Sequence, residues 1–138
     1  MAGSATSFLE TAVLGHTLGF AAMTMPTGVF VALMTTAPTA GIGGTEVAGG
    51  AYARTAATFA MSVPPNVAAN TATISFPPAT AGWGNVGWFE LWDAVTAGHR
   101  LYWGPLVDPA DGVTPVTRTV LSGDIMRFTA GVIQVQAT

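Results

Sequence analysis

The hydrophobic period of the chain changes after Pro26, and that change constrains the fold more than any other feature. Before it, Leu9, Val13, His16 and Phe20 fall at helical spacing, with Phe8 and Ala12 beside them. After it, apolar residues alternate with polar ones or run in short β-branched blocks, as strands do.

The first pattern predicts a helix over residues 7–18. Ser7 followed by Glu10 fits a capping box, in which the serine accepts from a backbone N–H and the glutamate reaches back. Gly15 weakens the helix and Gly19 supplies a stop. A helix this short needs a packing partner, in its own domain or on a neighbour.

The second pattern predicts strands over 29–35, 51–60, 71–76, 86–92, 101–106, 113–120 and 132–136, with a short one over 125–128. The strand over 29–35 is apolar on both faces and reads as central. The one over 71–76 alternates most cleanly, with Ala72, Ile74 and Phe76 on one side. Turn signals separate the strands: Pro64-Pro65-Asn66, Pro77-Pro78, Ala97-Gly98, Asp108-Pro109, Asp111-Gly112 and Ser122-Gly123-Asp124. The expected fold is mainly β: an antiparallel β-sandwich or barrel-like domain with one short N-terminal α-helix. It is expected as a single domain over 1–138, with residues 39–50 as a glycine-rich loop or arm.

Charge then narrows the function. Only 8% of residues are charged, where a soluble domain usually carries about 25%. A surface with so little charge keeps copies apart poorly and suits burial against another protein. A homo-oligomer or lattice protein is expected. There is no lysine, and Arg54, Arg100, Arg118 and Arg127 are scattered, so no basic stripe exists for nucleic acid. No apolar window is long enough for a transmembrane helix, and no basic amphipathic helix suggests a membrane surface. Glu10 and His16 interrupt the N-terminal apolar stretch, so it does not read as a signal peptide.

Catalytic chemistry has little to draw on. His16 lies in the helix stripe and His99 in a turn, and no ligand spacing joins them into a metal site. No serine sits in a nucleophile elbow, and without lysine there is no Schiff base. Glu90 and Asp93 are three apart on an expected strand, so they face opposite sides. Gly41-Ile42-Gly43-Gly44 is half a dinucleotide fingerprint without the following helix. Asp108, Asp111 and Asp124 lack calcium-loop spacing and read as turn residues. No catalytic, cofactor-binding or metal-ligating residue is expected.

The aromatic residues are more informative. Trp83, Trp88, Trp92 and Trp103 fall close together. Trp88, Glu90 and Trp92 share one strand face, and Phe89 and Leu91 the other. One face lines the core; the other meets the helix, a loop or another subunit. Candidate interface residues are therefore Phe8, Leu9 and Val13 on the helix, with Trp83, Trp88, Trp92 and Trp103.

Taken in order, a series of short motifs carries a resemblance. It begins with Ser7-Phe8-Leu9-Glu10 and the helix to His16 and Leu18, then Val31-Ala32-Leu33, Thr35 and Ala37-Pro38. Gly44-Thr45-Glu46-Val47, Gly49-Gly50, Tyr52-Ala53-Arg54, Phe76-Pro77, Ala79-Thr80-Ala81 and Trp83-Gly84 follow. Later come Leu91, Asp93-Ala94, Leu101-Tyr102, Gly104, Leu106, Gly123-Asp124, Arg127-Phe128 and Ala130-Gly131. In this order the chain resembles the small virion structural proteins of tailed bacteriophages, both decoration-like and tail-fibre-like. It departs from them in its poverty of charge and its short segment between Thr58 and Asn70, where longer relatives carry more loop. The resemblance implies a virion location and a structural role without catalysis. The uncharged surface, the glycine-rich arm, the short helix and the small size then favour a capsid decoration or cement protein bound to the major capsid protein or other virion proteins. The alternative is a tail or tail-fibre component contacting the host surface. A small hydrolase or lectin-like domain has the least support.

Overall fold

The computed structural model describes residues 1–62 and 66–136. Its first element is a strand that the sequence pattern did not announce, β1 (Ala2–Ala5). It is followed at once by α1 (Ser7–Thr17) and, after an irregular stretch, by β2 (Val29–Met34). Then come β3 (Thr55–Ala57), β4 (Phe59–Ser62), β5 (Val67–Asn70) and β6 (Ile74–Ser75). The chain continues through β7 (Gly84–Val86), β8 (Trp88–Trp92) and β9 (Arg100–Pro105). It ends with β10 (Arg118–Val120), β11 (Arg127–Phe128) and β12 (Gln134–Gln136).

Eight of these form one sheet, in the order β3-β2-β8-β9-β1-β12-β5-β4. The two outer strands, β3 and β4, are consecutive in the chain and separated by Thr58 alone. The sheet therefore curls almost into a barrel, closed at its seam by the covalent chain. β1 makes the other corner: Ala2 and Gly3 pair with β12 in parallel, and Ser4 and Ala5 pair with β9 antiparallel. Strands that change partners at a bend are how two stacked sheets become one barrel. The remaining described strands form two ribbons, β10-β7 and β11-β6.

The inner face carries the core. Val31 and Leu33 of β2 and Phe89 and Leu91 of β8 are each at most 2% exposed. Phe76, Phe128, Trp83 and Ile133 join them in the same cluster. Burying a side chain of this size contributes about 1.5–3 kcal/mol before entropy is counted. The mainly-β fold, the helix and the central place of β2 follow the expectation from hydrophobic period.

Several boundaries differ. The helix ends at Thr17, and Thr6 rather than Ser7 caps it, accepting from the Leu9 N–H at 3.3 Å. The Thr6 hydroxyl also donates to the Arg100 carbonyl at 2.6 Å, so one buried side chain joins helix to β9. Gly19, at φ +80°, ends the helix, and Phe20 N–H closes a Schellman turn on the Gly15 carbonyl at 2.8 Å. The strand expected over 71–76 shrinks to Ile74–Ser75. The cause is Asn70, whose carboxamide donates to Ala72 and Thr129 carbonyls and accepts from Ile133 N–H, turning the chain there. The stretch over 113–120 is strand only from Arg118, because Asp111 gathers the Val113 and Thr114 N–H groups into a turn. The stretch over 51–60 breaks at Thr58, the barrel corner. The turn expected at Pro64-Pro65 lies outside the described residues. The pairing of β1 with β12 is parallel, an exception among otherwise antiparallel strand pairs in the described residues.

Candidate interaction surface

Two faces of the barrel carry unusual chemistry, and both are built on β8 and β9. The first is the outer face of the sheet, where Trp88, Glu90 and Trp92 stand beside Trp103 of β9, directly across from Glu90. Glu90 is 0% exposed because the segment expected as a glycine-rich loop or arm folds over it. Residues 39–50 lie against the barrel: Gly44 N–H donates to Glu90 Oε1 at 2.9 Å, and Val47 N–H to the Leu33 carbonyl at 3.0 Å. Only glycine fits at position 44, since a Cβ there would stand 2.4 Å from the Thr36 carbonyl oxygen. Arg100 ties the start of the segment, donating to Thr39 and Ala40 carbonyls at 2.7 and 3.1 Å while lying 3.6 Å from Glu90. Glu90 also accepts from the Trp92 ring N–H at 3.0 Å. Burial pushes the Glu90 carboxyl above its ordinary range, against the pull of the Gly44 N–H, Arg100 and Trp92.

A second ion pair holds the other end of the segment. Arg54 grips Glu46 through two bonds of 2.9 Å, and its guanidinium lies 3.9 Å above the Trp92 ring. Its remaining N–H groups reach the Ala94 and Ala97 carbonyls at 3.1 and 2.8 Å. The β8–β9 hairpin tip is thereby fixed to the loop.

That tip forms one wall of the second face, an open groove of about 930 Å³ beside α1. The other wall is the helix and the segment over 20–27, with Phe8, Leu14, Phe20 and Met25 lining it. These side chains are exposed, Phe20 and Met25 each by 83%. His16 holds the segment in place, accepting from the Met23 N–H at 3.2 Å. Opposite, Phe8 stacks on the His99 ring at 4.2 Å. His99 lies 3.0 Å from Asp93, whose other oxygen accepts from the His99 backbone N–H at 2.6 Å. Burial works to raise the Asp93 carboxyl, but its bonds to the His99 backbone and ring outweigh it and hold the group below its usual range.

The expected interface residues divide among these places. Phe8 and Val13 are exposed on the helix, while Leu9 is buried beneath it. Trp83 belongs to the core, its ring N–H donating to the Gly50 carbonyl at 2.9 Å. Trp88, Trp92 and Trp103 are half-buried on the outer sheet face, and the Trp103 ring N–H has no partner among the described residues. Among the described residues, no three histidine or carboxylate side chains converge as metal ligands.

The sequence profile of the podophage GP4 fiber I protein gp80 matches residues 4–136, which is nearly the whole chain. The chain belongs to that family. It is thus a bacteriophage structural protein and resides in the virion, as the ordered motifs implied. A search of the curated proteins found none that matches. Within this family member, the groove residues Leu14, Phe20 and Met25 were not among the expected interface residues. Their signal was the charge-free run that continues past the helix stop to Pro26.

Proposed function

We propose that this protein is a component of the phage tail-fibre apparatus rather than a capsid cement. The carrying observation is the match to a fibre-protein family over residues 4–136. The exposed apolar face along α1 and the following segment supports a role in contact with neighbouring virion proteins or further copies of the chain. A chain in which only 8% of residues are charged supports the same role.

The proposal includes no catalysis. Glu46, Glu90 and Asp93 are each engaged with Arg54, Arg100 and His99 in bonds that hold loops to the barrel. A general acid or nucleophile needs a group presented to substrate; Glu90 is fully buried and Glu46 is gripped by Arg54, while Asp93 and His99, which do line the α1 groove, are spent on each other.

The experiment is deletion of the gene from the phage. A fibre component predicts particles whose heads resist heat and osmotic shock normally but which adsorb poorly to host cells. Heads that leak while adsorption per intact particle stays normal would return the capsid reading.

A further inference from the structure

The four arginines fall into two classes. Arg54 and Arg100 are engaged by Glu46, Glu90 and backbone carbonyls. Arg118 on β10 and Arg127 on β11 are exposed, and neither makes an ion pair or side-chain hydrogen bond among the described residues. Although nine residues apart in a lysine-free chain, both line the same cleft, of about 560 Å³. No residue lining this cleft is acidic. The nearest carboxylates are occupied locally: Asp108 accepts from Ala110 N–H, Asp111 from Val113 and Thr114, and Asp124 from Leu121 N–H. Asp124 borders Arg118 only in a separate, shallower depression.

We infer that this cleft binds an acidic saccharide, with Arg118 and Arg127 on its carboxylate or phosphate group. Guanidinium groups match the two oxygens of such anions with paired donors. The cleft volume lies in the range of small-ligand sites. Thr129 and Gln134 bring polar groups to the lining for sugar hydroxyls, and Val107 and Pro109 give it apolar wall for ring C–H groups. The cleft is remote in composition from the α1 groove and shares no lining residue with it. The inference leans on the fibre reading only for the ligand's source, the bacterial surface.

The test is calorimetric titration of the purified protein with glucose 6-phosphate, a galacturonate trimer, inorganic phosphate and neutral maltotriose. Saturable binding of at least one charged sugar is expected, weakening as salt rises, with maltotriose inert and phosphate alone weaker. Arg118→Gln and Arg127→Gln should each weaken that binding about tenfold or more, with Arg→Lys partly restoring it. Thermal melting checks that each variant folds. Equal binding of neutral and charged sugars, no binding of either charged sugar at millimolar concentration, or affinity unchanged in the double variant would overturn the inference. Phosphate binding as tightly as the sugar phosphate would overturn its saccharide part. Charged-sugar binding by a protein found on the capsid would instead defeat the fibre reading and leave the cleft standing.

Discussion

Replacing Glu90 with alanine removes the keystone between the outer sheet face and the loop that covers it. The substitution strips three partners at once: the Gly44 N–H, the Trp92 ring N–H and the Arg100 guanidinium. Arg100 is 9% exposed, so it would be left as a buried charge without a carboxylate. Breaking a buried pair from one side costs about 3–5 kcal/mol, a large share of the about 5–15 kcal/mol that holds a domain together. Urea unfolding reads this directly. With a slope of about 2 kcal/mol/M, the midpoint should fall by about 1.5–2.5 M at unchanged slope. Adding Arg100→Met to Glu90→Ala removes the orphaned charge and should recover part of the loss, giving a coupling of about 0.5–3 kcal/mol. The pH dependence has a definite sign. Because burial raises the folded-state value above the ordinary 4.5, the folded protein holds this proton more tightly than the unfolded chain. The group's favourable contribution is full below pH 4.5 and is lost as pH rises through the raised value. Glu90→Gln should abolish that slope. A midpoint shift under about 0.5 M for Glu90→Ala, with no coupling to Arg100, would refute the keystone argument.

Other outcomes follow from the same geometry. Gly44→Ala drives a Cβ against the Thr36 carbonyl oxygen and should destabilise the fold by about 1–3 kcal/mol in the same urea assay. The Asp111 carboxyl, held by the Thr114 hydroxyl and the Val113 and Thr114 N–H groups, should titrate at about 2 by NMR. Its stabilising effect is present above 3.8 and lost as pH falls through about 2, and Thr114→Val should move that midpoint upward. Leu14→Glu and Phe20→Glu fall on side chains that are 59% and 83% exposed. They should leave stability within about 0.5 kcal/mol yet reduce incorporation into virions; normal incorporation would show that the α1 face is not an assembly contact.

What the sequence made legible was whatever period and turn chemistry decide locally. The two-residue period of β8 correctly sent Phe89 and Leu91 to one face and Trp88, Glu90 and Trp92 to the other, and Phe89 and Leu91 line the core. Gly19 was legible as the helix stop because a positive φ favours glycine. β1 was not legible, because Ala2, Gly3, Ser4 and Ala5 have weak strand propensity. Its conformation is imposed by β9 and β12, and Gly3 is there because a Cβ would meet Val135 at 2.8 Å. The cap misassignment has the same origin: Thr6 caps because Arg100, distant in sequence, receives its hydroxyl hydrogen. The meeting of Arg118 with Arg127 in one cleft depends on how β10 and β11 are placed by their separate partners, β7 and β6. No local pattern reports that. The loop over 39–50 looked free for want of anchors, whereas Val47 is buried in the core cluster and Glu90, Arg54 and Arg100, distant in sequence, hold the rest.

Cryo-electron microscopy of the intact virion, comparing particles with and without this protein, would place it on the head or on the tail. The fibre assignment predicts that the difference density, fitted by the eight-stranded barrel, lies on the tail appendages. Difference density spread over the capsid shell, with the appendages unchanged, would contradict it.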